Sequence, residues 1–331
     1  MILSSLSAVY GRAASWRRQW YARDPRRRRV LARPVISVGN LSVGGAGKTP
    51  IVACIARLLL EQGERPSILT RGYARRDGSD GVTVVSDGRA VLADVARAGD
   101  EPLMLARAVS GVPVLVCANR HTAGLVAERR FGATVHVLDD GFQHLELERT
   151  VDLLLVDEND LADRPLPAGR LREPLANASA ANAVLVTARD EAAAERVGRA
   201  LGVPTVFRVR RSLGGPRAIP GGHAAAVRAG ARVFAVAGIA RPARFFSDLT
   251  AAGWQLAGTL SFRDHHPYGP RDIARIQAAA RSAGAAIVLT TDKDAVRLEA
   301  CDLRGSPIAS VPLAVDVEPA AEFRRWLIDR L

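Results

Sequence analysis

Lysine is nearly absent from this chain. Of its 46 basic residues only two, Lys48 and Lys293, are lysines, and all the others are arginines. Arginine presents a planar fork and lysine a compact point charge, so the two are not interchangeable where one ammonium must fit among phosphate oxygens. A lysine at position 48 therefore favours a phosphate-binding role there. Lys293 lies in TTDKDA after an apolar strand, where a helix start or a salt bridge explains it equally well.

Cysteines are few and long apolar runs are missing. Cys54, Cys117 and Cys301 lie far apart, which argues against a disulfide framework or a zinc site and indicates small buried side chains in a reducing compartment. No stretch approaches the ~20 consecutive apolar residues of a membrane-spanning helix. A composition that is 48% hydrophobic and 24% charged indicates a globular chain, and 331 residues predict two domains.

Acidic residues are almost missing from the start of the chain. Residues 1–33 contain nine arginines and one acid, Asp24, so this segment holds +8 of the net charge of +12. The remaining 298 residues share only +4. The basic character is thus a terminal feature and not a property of the whole surface, and aromatics do not interleave with it. We expect no nucleic-acid partner, and no obligate protein partner is evident.

The first twenty residues carry apolar side chains at helical spacing. Trp16 and Trp20 end this stripe, and arginine follows, including the run from Arg26 to Arg29. Tryptophan with a basic flank is typical of an amphipathic helix that lies on an anionic membrane surface. The alternative is a helix packed on the protein's own core. A signal peptide would place its positive region before the apolar run, and here it follows.

A phosphate-binding loop is predicted in PVISVGNLSVGGAGKTP, residues 34–50. A β-branched run leads into a glycine-rich turn, then Lys48 and Thr49, then a helical pattern. In this strand–loop–helix form, backbone N–H groups surround nucleotide phosphates, the lysine reaches the terminal phosphates and the threonine hydroxyl binds Mg²⁺. The match is GGxGKT, because Ser42 stands where the strict pattern has glycine. An ordinary strand-to-helix turn is the alternative.

Acidic and histidine-containing loops follow the other predicted strands. The strand from Thr134 to Leu138 ends in Asp139 and Asp140, the form of a Walker B site whose carboxylates hold the Mg²⁺ shell. Asp100 opens a helix, where capping is an alternative to chemistry. His265 and its neighbour His266 join a strand to a helix, and adjacent histidines cannot share a metal face. A histidine facing another domain suits acid–base or charge-positioning chemistry, and a polar turn is the alternative.

Strands that alternate with helical spacers predict an α/β fold with a doubly wound, mostly parallel sheet. We expect an amphipathic, basic, membrane-contacting helix at 1–33 and a P-loop core domain at 34–203. An inter-domain crossing at 204–231 leads to a smaller α/β domain at 232–331 that contributes to the closed active site.

Six motifs taken together resemble the tetraacyldisaccharide 4′-kinase family. They are VGNLSVGGAGKTP, RGYARR, AGDEP, LDDGFQH, LPAGRLREP and FRDHHPY, in that order. The resemblance implies transfer of the γ-phosphate of ATP to the 4′-hydroxyl of a tetraacyldisaccharide 1-phosphate, a lipid A precursor in lipopolysaccharide synthesis. It further implies a peripheral enzyme on the cytoplasmic face of the bacterial inner membrane. The position of Ser42 does not weaken it, since the family's loop also lacks that glycine.

The resemblance also assigns roles to particular residues. Asp100 is implied as the catalytic base, paired with His265 or, failing that, His266. ATP is implied to bind the loop and its neighbour, namely Gly44, Gly45, Ala46, Gly47, Lys48, Thr49 and Gln143. Mg²⁺ is implied at Thr49, Asp139 and Asp140. The residues implied to contact the lipid headgroup are Asn40, Tyr73, Glu101, Arg170 and Glu173.

Phosphoryl transfer depends mostly on positioning and charge neutralisation, and a sugar hydroxyl needs a carboxylate to accept its proton. A protonated His265 would lower the cost of keeping Asp100 ionised. Placing the two on different domains would make closure assemble the site and exclude water. Two other interpretations remain: a P-loop ATPase or GTPase that couples hydrolysis to a protein partner, and a nucleic-acid-binding module that uses the arginine tail.

Overall fold

The protein is described here by a computed structural model that covers residues 2–45, 47–73, 75, 81–222 and 230–331. Ala46 of the predicted phosphate-binding loop, and Ala74 and Arg76 of RGYARR, lie outside the described residues.

Helices and strands alternate along the chain. The helices are α1 (Ile2–Ala22), α2 (Lys48–Glu61), α3 (Val95–Ala98), α4 (Asp100–Ala108), α5 (Arg120–Phe131), α6 (Glu191–Leu201), α7 (Pro242–Ala251), α8 (Pro270–Ser282), α9 (Asp292–Leu298) and α10 (Ala320–Ile328). The strands are β1 (Val35–Asn40), β2 (Pro66–Thr70), β3 (Thr83–Asp87), β4 (Pro113–Val116), β5 (Val135–Asp139), β6 (Val151–Asp157), β7 (Ala183–Thr187), β8 (Val206–Leu213), β9 (Arg217–Ala218), β10 (Arg232–Ala237), β11 (Gln255–Ser261), β12 (Ile287–Thr291), β13 (Ile308–Val311) and β14 (Leu313–Glu318). Short 3₁₀ turns lie at Pro25–Arg27, Glu158–Ala162 and Leu175–Ala180.

The larger sheet has nine strands in the order β14-β8-β7-β6-β1-β5-β2-β4-β3. Its seven inner strands run parallel, and only the edge strands β14 and β3 pair antiparallel. Every residue of β1, β2, β4 and β5 is buried, as expected for strands covered by helices on both faces. β1 is central, so the loop after it opens at the carboxyl edge where parallel α/β sheets bind ligands. The predicted α/β fold is confirmed.

The smaller sheet has the order β11-β10-β12-β13-β9, parallel except for β9. Helices α7 and α8 pack on it, with Phe245 and Ile276 among the buried residues of its cores. This agrees with a second, smaller α/β unit in the last third of the chain.

The predicted domain boundaries differ from the sheet pairing at two places. Strand β8, which lies in the predicted crossing at 204–231, is part of the larger sheet. Strand β14 and helix α10, which lie in the predicted smaller domain at 232–331, return to that same sheet, where Phe323 contacts Phe207 edge-on. The partners are about a hundred residues apart, and local periodicity contains no information on such pairing.

A helix packed on the protein's own core buries its apolar face, whereas helix α1 exposes its apolar face and turns a small, polar face inward. Its apolar side chains are exposed, with Leu6 at 51%, Val9 at 64% and Trp16 at 63%. The inward face is small and polar: Ser7 Oγ accepts a hydrogen bond from the backbone N–H of Ala168, 2.9 Å away. Exposed apolar stripes of this kind mark interaction surfaces. The core-packing alternative required the stripe to be buried, and it is not.

One buried ion pair attaches α1 to the larger domain. Arg18 donates through Nε and Nη2 to the two carboxylate oxygens of Glu173, each at 2.8 Å. Its guanidinium also lies over the ring of Phe142, 4.1 Å from the ring centroid. The helix is thus fixed directly to the segment that follows Asp139 and Asp140.

The three cysteines are free, with Cys117 buried and Cys54 and Cys301 half-buried. Among the helices of the described residues, none combines the length and the hydropathy that a membrane span requires.

Candidate active site

The loop between β1 and α2 has the conformation of a phosphate-binding turn. Gly47 forms the N-cap of α2 with φ at +83°, a left-handed backbone that favours glycine. Gly44 has φ at +89°, and, chain neighbours aside, no atom of the described residues lies within 4 Å of the position a side chain at Gly45 would take. The first N–H groups of α2 are therefore directed at an open, glycine-lined space, which is the geometry that binds phosphate.

Lys48 lies on the first turn of α2 and its side chain reaches back to β1. Its Nζ donates to Asn40 Oδ1 at 2.7 Å and lies 3.3 Å from Asp140 Oδ1. Thr49 is the next residue of the helix. The structure thus brings Lys48, Asn40 and Asp140 together at the mouth of the loop.

Arg172 belongs to the same cluster, although it was not among the residues predicted from the sequence. Its Nη1 and Nη2 donate to the two oxygens of Asp140, each at 2.9 Å, and Nη2 also contacts Asn40. The loop that carries Arg172 is held beside β1 by a backbone hydrogen bond to Leu41 of 2.6 Å. Because that pairing joins segments far apart in the sequence, the LPAGRLREP motif alone did not distinguish Arg172 from Arg170.

The two acids at the end of β5 have opposite electrostatic environments. Burial, reinforced by the charges of Glu101 and Asp140, raises the pKa of Asp139 to about 7. Burial would also raise the pKa of Asp140, but Lys48 and Arg172 outweigh it and hold that pKa well below its usual range. Asp139 Oδ1 is buried without a hydrogen-bond partner among the described residues. Asp140 has φ at +56°, an uncommon conformation for a non-glycine residue that often accompanies functional sites.

Asp100, at the first position of α4, is held by two residues of the smaller domain. His265 Nδ1 lies 2.8 Å from Asp100 Oδ2, and Arg297 donates to the same oxygen from Nε at 2.8 Å and from Nη2. Burial would raise the pKa of Asp100, but the hydrogen bonds from His265 and Arg297 outweigh it and lower the pKa to about 2. The capping alternative is not observed, because the side chain of Asp100 points to α9 and not back to its own helix. His265 also has a positive φ of +59°.

Lys293 completes this cluster. Its Nζ lies 3.2 Å from His265 Nε2, 3.1 Å from Glu101 Oε1 and 3.3 Å from Asp264 Oδ1. The chain's two lysines therefore each lie in a cluster of charged candidate residues, Lys48 in the larger domain and Lys293 in the smaller one. Their rarity was the signal for both, although the sequence favoured a site role only for Lys48. Arg297 carried no such signal, because arginine is common throughout the chain.

The surroundings of His266 and of Tyr73 bear on which histidine, His265 or His266, is the partner of Asp100. His266 stacks on Phe262 with ring centroids 4.6 Å apart and contacts Asp272 Oδ2 at 3.1 Å, so it belongs to the smaller domain's own packing. The ring of Tyr73, itself 66% exposed, lies edge-on to His265 at 5.7 Å.

The remaining predicted residues are more scattered. Gln143 lies near the loop and donates to the backbone oxygen of Asn40 at 3.1 Å. Arg170 is paired with Asp163, 2.8 Å away, and does not reach the cluster around Lys48. Glu173 is buried, and its carboxylate pairs with Arg18 and so fixes α1; its role as a headgroup contact stays a prediction. No group of three or more His, Cys, Asp or Glu side chains that could form a metal site occurs in the part of the chain described.

The chain is similar to proteins of one known family. The profile of the family LpxK, tetraacyldisaccharide-1-P 4′-kinase, matches residues 1–331. A tetraacyldisaccharide 4′-kinase of Geobacter metallireducens is 45% identical over 306 residues, covering 90% of this chain and 88% of that protein. One of Geobacter sulfurreducens is 41% identical over 327 residues, covering 96% and 90%. A crystal structure of the "apo" form of LpxK from Aquifex aeolicus in complex with ATP has a TM-score of 0.77 and 30% identity, covering 100% of this chain and 99% of that one.

Proposed function

Because this chain belongs to the tetraacyldisaccharide-1-P 4′-kinase family and is an ATP-dependent kinase of the lipid A pathway, we propose the following reaction for it. It transfers the γ-phosphate of ATP to the 4′-hydroxyl of a tetraacyldisaccharide 1-phosphate at the cytoplasmic face of the inner membrane. Two observations carry this proposal: a phosphate-binding loop at the start of α2, and a carboxylate, Asp100, that His265 and Arg297 of the second domain hold. The two clusters are linked through Glu101, the neighbour of Asp100, which lies close enough to Asp139 for its charge to raise the pKa of that carboxyl.

ATP would bind with its phosphates in the turn formed by Gly44, Gly45 and Gly47, where backbone N–H groups and the α2 dipole favour negative charge. Lys48 would exchange its contacts with Asn40 and Asp140 for the terminal phosphates. Ala46 and Gln143 are further candidates for nucleotide contact.

The residues near the loop fit a magnesium ion. Mg²⁺ is usually bound through one or two carboxylates together with substrate phosphates, so a cluster of three acidic or imidazole ligands is not required. Asp139 has a buried carboxylate oxygen without a hydrogen-bond partner among the described residues, which is the acceptor such a cation would satisfy. Thr49, Asp139 and Asp140 are the candidate holders. When bound, the ion would neutralise charge on the transferred phosphoryl group.

Asp100 is the proposed general base. Among the described residues its side-chain contacts all end on Oδ2, which leaves Oδ1 for the 4′-hydroxyl. The proton of the 4′-hydroxyl would move to this carboxylate as the new P–O bond forms, while the bond from the γ-phosphorus to the β–γ bridging oxygen breaks and ADP leaves. With His265 and Arg297 donating to it, the carboxylate has a pKa of about 2. It is therefore fully ionised at neutral pH and can accept the proton of the hydroxyl. Because the donors come from the smaller domain, closure of that domain would complete the site and exclude water.

The lipid would approach from the side of α1. The exposed apolar stripe of that helix would enter the headgroup region of an anionic membrane, and arginines such as Arg12 and Arg23 would contact lipid phosphates. The proposed contacts to the sugar and its phosphate remain Asn40, Tyr73, Glu101, Arg170 and Glu173. The predicted division into domains is retained as a proposal, with β8, β14 and α10 counted in the core.

Purified full-length protein, labelled ATP and a disaccharide 1-phosphate lipid test this function. Transfer of label to the lipid supports it, and release of phosphate to water without a phosphorylated lipid would favour a hydrolase instead. Lys48→Ala should abolish transfer. Asp100→Asn should lower kcat by at least about a hundredfold with little change in ATP affinity, since it removes the base and not the phosphate contacts. Near-normal turnover of Asp100→Asn would refute the base assignment.

A further inference from the structure

We propose that Lys293 and Arg297 are positioning residues with complementary effects on the base. Arg297 provides the positive charge that keeps Asp100 ionised, and Lys293 keeps His265 neutral with its proton on Nδ1. This inference rests on the proposed role of Asp100 as base. It assigns a role to two residues of α9 that no sequence motif placed in the site, and it replaces the expectation that a protonated His265 provides the charge beside Asp100.

The hydrogen-bonding geometry around the His265 ring sets its protonation. Nδ1 faces an ionised carboxylate oxygen at 2.8 Å, and two acceptors at that distance repel each other, so Nδ1 must carry a proton. Arg297 Nη2 also lies 3.3 Å from Nδ1, but it donates to Asp100 Oδ2, and the shorter contact of Nδ1 with the carboxylate sets its protonation. Nε2 faces the Lys293 ammonium at 3.2 Å. A lysine ammonium has only donors, so the nitrogen opposite it must accept. One protonated and one unprotonated nitrogen define a neutral ring in a single tautomer.

Arg297 has the contacts required to keep Asp100 ionised. It donates to Asp100 Oδ2 from two nitrogens, and its side chain is buried, so its charge is poorly screened by water. Nη1 is held in turn by the backbone oxygen of Gly238 at 3.2 Å and by Asp294 Oδ1 at 3.5 Å. The guanidinium therefore has a fixed place, and Asp100 does not need an imidazolium to remain ionised.

The other groups that face His265 explain why Lys293 is needed. On α4 these are Asp100 and, through Lys293, Glu101. On its own loop the carboxylate of Asp264 lies 3.8 Å from Nε2. Without the ammonium, Nε2 would face this carboxylate, and a ring between two carboxylates favours the doubly protonated form. A doubly protonated ring would compete with the substrate hydroxyl for the charge of Asp100 and weaken the base.

The ring nitrogens can be observed directly in the full-length protein. We would label histidine with ¹⁵N, record long-range ¹H–¹⁵N correlations at neutral pH and assign the ring of interest with His265→Asn. The expected wild-type pattern is a neutral ring protonated on Nδ1, and Lys293→Met should shift the ring toward the doubly protonated pattern. A wild-type ring that is doubly protonated, or protonated on Nε2, would overturn the inference. So would an unchanged pattern in Lys293→Met.

A matched control is available on the same pair of helices. Arg107 of α4 forms an ion pair with Glu299 just beyond α9, so Arg107→Met loosens the contact between these helices without touching Asp100 or His265. It should leave the ring pattern and kcat unchanged. Lys293→Met should lower kcat at least about tenfold at unchanged KM for ATP, whereas loss of kcat in both variants alike would reduce Lys293 to a structural role. The spectrum does not depend on turnover: an inactive wild type with the expected ring would count against the proposed function alone.

Discussion

Replacing Asp139 by asparagine should stabilise the nucleotide-free protein, although it removes a proposed Mg²⁺ ligand. The Asp139 carboxyl is buried, lies near Glu101 and Asp140, and has one oxygen without a hydrogen-bond partner among the described residues. Ionising it inside the fold is therefore costly, and its pKa is raised to about 7 from an ordinary value of 3.8. An amide of similar shape has no charge to bury.

The sign and size of the effect follow from proton linkage. Between the unfolded and the folded pKa, the native protein binds a proton that the unfolded chain has released, so stability falls as the pH rises. Above the folded pKa the loss is complete. When the pH rises from about 5 to about 8, the unfolding free energy falls only until the pH reaches the folded pKa of about 7. That interval is about two pH units, which corresponds to a loss of about 3 kcal/mol of unfolding free energy. Asp139→Asn removes this dependence.

Urea unfolding of both proteins at about pH 5 and about pH 8, without Mg²⁺ or nucleotide, measures the effect. The variant should gain about 3 kcal/mol on the wild type between the two conditions. The neighbouring Asp140→Asn is the control: Lys48 and Arg172 hold the pKa of Asp140 low, so this variant should lose stability at both pH values. Because the charge of Asp140 contributes to the raised pKa of Asp139 and burial is the larger cause, Asp140→Asn should reduce the pH dependence but not remove it. If Asp139→Asn shows no gain at high pH, burial does not destabilise the ionised form and the electrostatic reasoning fails.

Three further outcomes are expected from the packing. Val9→Glu should reduce sedimentation with anionic vesicles and leave ATP binding intact, and unchanged vesicle binding would contradict a membrane role for α1. Arg18→Met should lower the unfolding free energy by about 3–5 kcal/mol, because it leaves Glu173 charged and buried, and a denaturant midpoint near the wild type's would speak against that. Gly39→Ala should cost at least about 1–3 kcal/mol, since its methyl group would clash with Phe142, and a wild-type melting curve would exclude the clash.

Much of the nucleotide-side site could be predicted from the sequence because it is local. A buried strand, a glycine turn and Lys48 at a helix start lie within one short segment, and their chemistry depends on backbone geometry that the glycines permit. Asp139 and Asp140 follow the same rule, since the carboxyl ends of neighbouring parallel strands meet at one edge of the sheet. The family resemblance added the pairing of Asp100 with one of two histidines, and the structure brings His265 to Asp100.

The sequence by itself determined the alternation of strands and helices, the phosphate-binding loop and the stripe of apolar residues on α1, because periodicity and turn chemistry are properties of neighbouring residues. Only the tertiary structure decided which way that stripe faces, that β14 closes the larger sheet, and that Arg172 and Arg297 hold Asp140 and Asp100. Those contacts join residues more than thirty positions apart, and an arginine's partner depends on which carboxylate the fold brings within hydrogen-bonding distance of it.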